Sequence, residues 1–547
     1  MELLLLFRAL ALPLLRVHAY SSGEPFDSRE ATIDGVHNAL HSGLASCRDV
    51  VSSFISRIET FNPTINAIIS LNPNALKIAD AFDAKIASGN ATGSLFCIPV
   101  LLKDNYDTSE LPTTAGCLDL VGNQPTQDAP VVAALKAAGA IILGKSNLHE
   151  LALEGLSVSS LGGQTINPYD HSRTPGGSSG GTGAAIATSF AVFGTGTDTV
   201  NSLRSPASAN SLFSVRPTRG LISRAGVIPI SYTQDTIGPI AKNVKDLAVA
   251  LTVMASVGYD PNDNTTSMIP SSSVDVDYLA DVFRGSLKGQ RFGLIEGFFN
   301  RTASEETTPV NTVMENTVST LKRAGATVVS IYETVYNATA IASLDVQTSE
   351  YREDMDAYLQ MSSLSGTRPS TLAELYSSGK FLVIPGQYNY VNTALRSSTS
   401  NSSYAPTKLG IQNLTTVLRT TFSSNQLDAI IYPEQKNLVV KIGSPSQSGR
   451  NGILAALTGF PVVTVPAGFS PSTGDAPIGV PIGMEILGLP WTESKLLNIA
   501  SHFSELTHVR RMPSFANSSI EVSSYSAVPT ITPNISKIPS AYPVGVL

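Results

Sequence analysis

Histidine and cysteine, which supply much of the nucleophilic and metal chemistry of proteins, are scarce here: seven and three residues in a chain of 547. Cys47, Cys97 and Cys117 allow at most one internal disulfide and leave one thiol over, so this is no disulfide scaffold. Which two pair is open, and their spacings fit no zinc site. Charge is sparse as well. Charged residues make up 14% of the chain, the net charge is −7 and no long basic run occurs. That argues against nucleic acid as a partner. Long apolar runs are missing after the first residues, so nothing there reaches the roughly 18 apolar residues of a membrane helix.

The start of the chain is different. "MELLLLFRALALPLLRVHA" is short, apolar and ends in small residues, which suits a signal peptide over residues 1–19 with Val17-His18-Ala19 as its cleavage box. Eight Asn-x-Ser/Thr sequons follow, at Asn90, Asn264, Asn300, Asn337, Asn401, Asn413, Asn517 and Asn534. Together the two signals predict a secreted glycoprotein.

What is present is the material of a large core, with 42% hydrophobic residues. Helix and strand signals alternate throughout, which predicts an α/β fold. Residues 46–60 place Val50, Val51, Phe54, Ile55 and Ile58 on one helical face. Asn62-Pro63 is expected to end that helix, and "INAIISL" to follow as a strand. "IPVLLKD" reads as a short buried strand carrying one lysine. "APVVAALKAAGAIILGK" reads as helix, glycine break and strand. "RFGLIEG", "ATVVSIY", "LDAIIYPE" and "FPVVTVPAGF" are further strands. A late helix has Thr492 as its expected N-cap. Residues 300–425 are expected to form helices and loops over the sheet. There is no repeat and no long linker, so residues 20–511 read as one domain. Residues 512–547 read as a Pro/Ser-rich extension, on the surface or disordered.

The densest local signal is "TPGGSSGGTGAAIATSFAVFGTGTDTVNSLRSP", Thr174 to Pro206. A flexible linker would be polar throughout, but "GAAIATSFAVFG" is small and apolar. It reads as a packed helix and a strand-like segment between two loops, "TPGGSSGG" before and "GTDTVNS" after. Such a helix aims its free N–H groups at the loop before it. Gly176-x-Ser178-x-Gly180 also satisfies the nucleophile-elbow pattern of α/β-hydrolases. No apolar strand precedes it, however, and the later His502 and His508 fall in the predicted late helix.

Three pieces match together: Lys103 in "VLLKDN", Ser178 in "TPGGSSGG", and Ser202 in "GTDTVNSLRSPAS". Their order and spacing, with "LPTTAG", "GKSNLHELALEG" and "LTGFPVVTVPAGF" around them, resemble the amidase signature family over roughly residues 30–510. The block "GVIPISYTQDTIGPIA" looks closest to its peptide-amidase-like and fungal branches. The resemblance implies a central mixed β-sheet sandwiched by helices. It also implies an amide hydrolase, here expected to be secreted, that works without metal or organic cofactor on a small-molecule or peptide amide. Ser202 matches the nucleophile, Ser178 the bridging serine after a cis peptide, and Lys103 the base. Lysine then does what histidine usually does: buried in its strand it loses hydration, and its pKa falls.

The resemblance also implies an oxyanion hole made by the backbone N–H groups of Thr199, Val200, Asn201 and Ser202, with Ser179, Asp198 and Arg204 in support. Here the chain departs from the common pattern, which has two glycines where this sequence has Val200 and Asn201. Valine is stiff, and at least one of the two side chains is expected to border and narrow the acyl pocket. The departure leaves two alternatives open. One is a non-catalytic binding protein on the same fold. The other is ester hydrolysis or acyl transfer by the same machinery.

Overall fold

The computed structural model of the chain describes residues 26–547; the signal-like segment 1–19 lies outside them. The helix Cys47–Ile65 opens on a capping box, with the Ser46 hydroxyl accepting from Asp49 N and the Asp49 carboxylate accepting from Ser46 N. Its apolar stripe is fully buried. It does not end at Asn62-Pro63 but runs on to Ile65. Pro63 lies in the last turn, where one lost donor is tolerated. Asn66, in the left-handed conformation at φ 56°, stops the helix, and Asn62 Oδ1 accepts from the next two backbone N–H groups.

Among the described residues one eleven-stranded sheet carries the fold. By first residue, its strands run across the sheet as Ile68, Ala140, Ile98, Phe193, Thr236, Phe213, Val462, Pro481, Ala429, Arg291 and Thr327. The Ile98 strand is parallel to both of its neighbours. The Arg291 strand is too, while the Phe193–Thr236–Phe213 group and the Val462–Pro481 pair are antiparallel. The sheet is therefore mixed, α/β and continuous through a single domain. Helices cover it, and the main apolar cluster runs from Phe26 to Ala516 through both halves of the chain.

The least patterned region, 300–425, does supply helices, among them Thr308–Arg323, Gln347–Leu359 and Tyr404–Ser424. It also supplies the edge strand Thr327–Ile331. Helix Gln347–Leu359 packs Tyr351, Met355 and Tyr358 against Leu148, Leu151, Ile228 and Ile230, forming a second apolar cluster. In the late helix, Glu493–Thr507, Thr492 stands at the N-cap but donates to Leu489 O, 2.6 Å away, instead of capping. The segment 512–547 runs over the surface in contact with the body. Ala516 accepts from Arg57, the Tyr525 hydroxyl meets Ser56 at 2.9 Å, Asn534 N meets Asn66 at 2.9 Å, and Tyr542 is buried.

Candidate active site

The Gly/Ser-rich stretch folds as a loop, the helix Gly180–Ala187 and the strand Phe193–Asp198. That strand extends through "GTD", a segment expected to be loop. It lies parallel to the strand Ile98–Lys103, so Lys103 at one C-terminal end faces the last residues of the other. Lys103 N donates to Thr195 Oγ1 at 3.2 Å. Lys103 Nζ donates to Ser178 Oγ and to Thr197 Oγ1, each at 2.7 Å. The side chain is fully buried and makes no ion pair with any described residue. Burial pushes its pKa down to about 7, against a smaller upward pull from Asp198 and Asp235. By contrast Lys145, equally buried on the next strand, pairs with Asp104 and is held by Tyr106 O at 2.7 Å.

Ser178 follows a cis Gly177–Ser178 peptide bond and is fully buried. Its carbonyl accepts from His149 N at 3.0 Å. Ser179 hydrogen-bonds the backbone of Thr197 in both directions, at 3.3 and 3.4 Å, and its N–H reaches Ser202 O at 3.4 Å. It thereby joins the loop carrying Ser178 to the loop carrying Ser202. Ser202 is 8% exposed, and no hydrogen bond joins its hydroxyl to that of Ser178 in this structure.

Thr199 to Leu203 form the turn between the strand Phe193–Asp198 and the helix Arg204–Ala209. Asp198 holds both ends of that turn. Its carboxylate accepts from Leu203 N and Arg204 Nε at 3.0 Å and from Arg216 Nη1 at 2.7 Å. Burial alone would raise this carboxyl, but the Arg204 and Arg216 guanidinium groups overcome it and hold the pKa at about 2. Arg204 also meets both oxygens of Glu485 at 3.0 and 2.8 Å, so its buried charge is paired. The Thr199 hydroxyl donates to Asp235 at 2.6 Å. No described residue accepts from the N–H of Val200, Asn201 or Ser202, so these donors are available.

Beside this turn a cavity of about 270 Å³ is lined by Thr197 and Thr199 on one side and by Ile228, Ile230, Tyr232 and Met361 on another. Neither Val200 nor Asn201 lines it, and neither do Ser178 and Ser202. The Val200 side chain packs on the apolar cluster around Ile453 and Leu454, and the Asn201 amide donates to Glu434 at 2.8 Å.

Sequence reasoning missed Thr197, Asp235 and Glu434. A signal existed for the first: Thr195 and Thr197 are two apart in a strand, so they face one side, and a lysine at a parallel strand end can reach that side. The other two come from distant segments. Among the described residues no histidine ring hydrogen-bonds Lys103, Ser178 or Ser202. His149 is the nearest candidate, but it reaches Ser178 through its backbone, and burial pushes its ring down to about 4 and keeps it neutral. No group of three His, Cys, Asp or Glu residues among the described residues could hold a metal ion.

Comparison with known proteins assigns the chain to a family. The family model described as Amidase matches residues 49–497. A protein of Arabidopsis thaliana named as a probable amidase is 30% identical over 532 residues, 94% of this chain and 97% of its own. A glutamyl-tRNA(Gln) amidotransferase subunit of Bdellovibrio bacteriovorus is 31% identical, covering 86% of this chain and 96% of its own. The native peptide amidase from Stenotrophomonas maltophilia superposes with a TM-score of 0.77 at 31% identity, over 89% of this chain and 99% of that one. With a family match over most of its length and the same fold as a solved peptide amidase, this chain belongs to the amidase signature family and is an amide-hydrolysing enzyme.

Proposed function

We propose that the chain cleaves a carboxamide through an acyl-enzyme, with Ser202 as nucleophile, Ser178 as proton relay and Lys103 as base. The observation that carries this reading is the buried Lys103 amine, 2.7 Å from Ser178 Oγ with no carboxylate in contact. A pKa near 7 leaves a good part of it neutral and able to accept a proton. Ser202 Oγ forms a bond to the carbonyl carbon while its proton passes by Ser178 to Lys103. The oxyanion takes hydrogen bonds from the free N–H groups of the Thr199–Ser202 turn. The C–N bond breaks as the proton returns to the leaving nitrogen. Water then repeats the sequence on the acyl-serine, releasing the acid and restoring Ser202.

The cavity beside the turn receives the substrate. Its walls are largely apolar, and one guanidinium, Arg224, stands there against the carboxyls of Asp235, Asp263 and Asp354. A neutral or basic amide with an apolar body fits it better than an acidic one. Likeness to a peptide amidase makes C-terminal peptide amides the first substrates to try. The test is a panel of peptide, alkyl and aryl amides alongside a fluorophosphonate probe. Turnover and labelling that both vanish in Ser202→Ala support the assignment; normal turnover in that variant overturns it. Acyl transfer is the second reading, favoured by the likeness to a component of an amidotransferase. Product partitioning with added hydroxylamine separates it from hydrolysis.

Secretion is part of the proposal. The Cys47–Cys97 disulfide, with Cα atoms 5.8 Å apart, suits an oxidising compartment. All eight sequon asparagines are exposed. Intact mass from a eukaryotic host should show glycans and loss of about the first nineteen residues; an unmodified chain starting at Met1 would rule this out.

A further inference from the structure

The substituted glycine position at Asn201 has a partner far away in sequence. The turn that carries Ser202 is fixed at its ends by Asp198 and at the Val200 carbonyl by Arg204. In its middle the Asn201 carbonyl accepts from Arg204 N and Ser205 N at 3.0 and 2.8 Å, and the Ser202 carbonyl from Ser179 N at 3.4 Å. The Asn201 side chain, 1% exposed, adds a tie to a distant segment, donating through Nδ2 to Glu434 Oε1 at 2.8 Å. Glu434 follows the strand Ala429–Pro433. Its backbone is tied on both sides, N–H to Gly483 O at 3.1 Å and C=O from Asn451 N at 3.2 Å. Gly452 closes the other side: a Cβ there would lie 2.5 Å from Asn201 Cβ and 2.6 Å from Val200 O. The amide is thus held between a backbone with no side chain and a buried carboxyl. The Glu434 Oε2 atom is buried without a hydrogen-bond partner among the described residues.

We propose that Glu434, acting through Asn201, is a positioning residue for the oxyanion-facing N–H groups of Asn201 and Ser202. Glycines leave such a turn free to adapt; here a side-chain clamp sets its orientation instead. Charge state matters to this arrangement. Burial, and next the Glu485 carboxyl, push the Glu434 pKa well up, while Asn201 and Arg204 pull it down. The neutral form, which burial and the Glu485 carboxyl favour, puts no negative charge under the site where the oxyanion develops. The titratable and charged groups facing it are Glu485 and Tyr432 on the strands, Arg204 on the helix and Asp198 at the strand end.

This inference rests on Ser202 being the nucleophile. The experiment compares Asn201→Ala, Glu434→Ala, the double variant and Glu434→Gln in kcat, KM, fluorophosphonate labelling rate and melting temperature. Each alanine variant should lower kcat by roughly ten- to a hundredfold with little change in KM, as expected for a misplaced oxyanion donor. The double variant should be no worse than the poorer single one, because one contact is removed twice. Glu434→Gln keeps the acceptor and should recover most of the kcat. It should also lose the fall in kcat that ionisation of Glu434 imposes on the wild type in alkali. Wild-type kcat in either alanine variant, additive losses, or no recovery in Glu434→Gln would overturn the proposal while leaving Ser202 in place. A wild type that is neither labelled nor active on any amide overturns the nucleophile assignment and this inference with it.

Discussion

At Lys103 the fold buries an amine against two hydroxyls and no carboxylate. Two consequences can be measured. Activity needs the neutral amine, so kcat/KM should rise with pH along a limb centred near 7, the value to which burial pushes this lysine. Lys103→Ala should remove both the activity and the limb. The second consequence is for stability. In the unfolded chain the lysine returns to its ordinary 10.5, so between pH 7 and 10.5 the unfolded state binds more protons. Stability from this group therefore rises with pH across that window. Relative to Lys103→Met, the wild-type melting temperature should be lowest at and below pH 7 and gain steadily above it. A constant difference between the two proteins would mean that Lys103 is not depressed. Val200 and Asn201 belong to this scale too. Since neither borders the cavity, changing both to glycine should leave the ratio of kcat/KM for small and bulky amides unchanged, while overall kcat falls.

Between elements, the site depends on parallel pairing of the strands Ile98–Lys103 and Phe193–Asp198 and on the turn that follows the second. The helix Ile453–Thr458 abuts that turn through Gly452, whose missing side chain allows contact with Asn201. Gly452→Ala should cost about 1–3 kcal/mol of stability, the usual range for overpacking, and lower kcat with it. Denaturant midpoints and kinetics on the same preparation would check both. Much at this scale was legible beforehand. The helix Pro130–Ala137 with the strand Ala140–Ser146, and the strands beginning at Ile98, Arg291, Thr327 and Val462, stand where periodicity and glycine breaks place them. The misjudged boundaries have local causes. Pro63 sits in a last turn that tolerates it. The late helix does start after Thr492 as expected, although the hydroxyl goes to Leu489. The strand Phe193–Asp198 takes in polar residues because Thr195, Thr197 and Asp198 are satisfied by site partners rather than by water.

For the whole molecule, the ends of the chain and the one disulfide are the testable features. Cys47 and Cys97 close a loop of 50 residues, so replacing both by serine should cost about 4 kcal/mol at most by loop-closure entropy. Lys103 sits at the other end of its strand, and kcat should survive. Deleting residues after 511 strips the carbonyl that receives Arg57 and the cover over Asn66. The melting temperature should then fall while kcat/KM stays within a few-fold, as no tail residue touches Lys103, Ser178 or Ser202. Calorimetry and amide kinetics on the truncated chain decide this; loss of activity without loss of stability would contradict it.

The sequence by itself determined the α/β character and the family, and it singled out Lys103, Ser178 and Ser202 as the residues to look for. Those depend on short-range information: hydrophobic periods, glycine-rich turns, and motifs in which a few neighbouring residues must stand together. The tertiary structure alone decided what surrounds them. Asn201 meets Glu434 and Arg204 meets Glu485 across 233 and 281 positions of chain. Asp235 reaches Thr199 from just before the next strand, and Cys97 rather than Cys117 lies beside Cys47. The physical reason is the mixed sheet. Its order brings strands from the middle and the end of the chain beside the Phe193 strand, and no local pattern encodes which buried polar groups will then be close enough to pair.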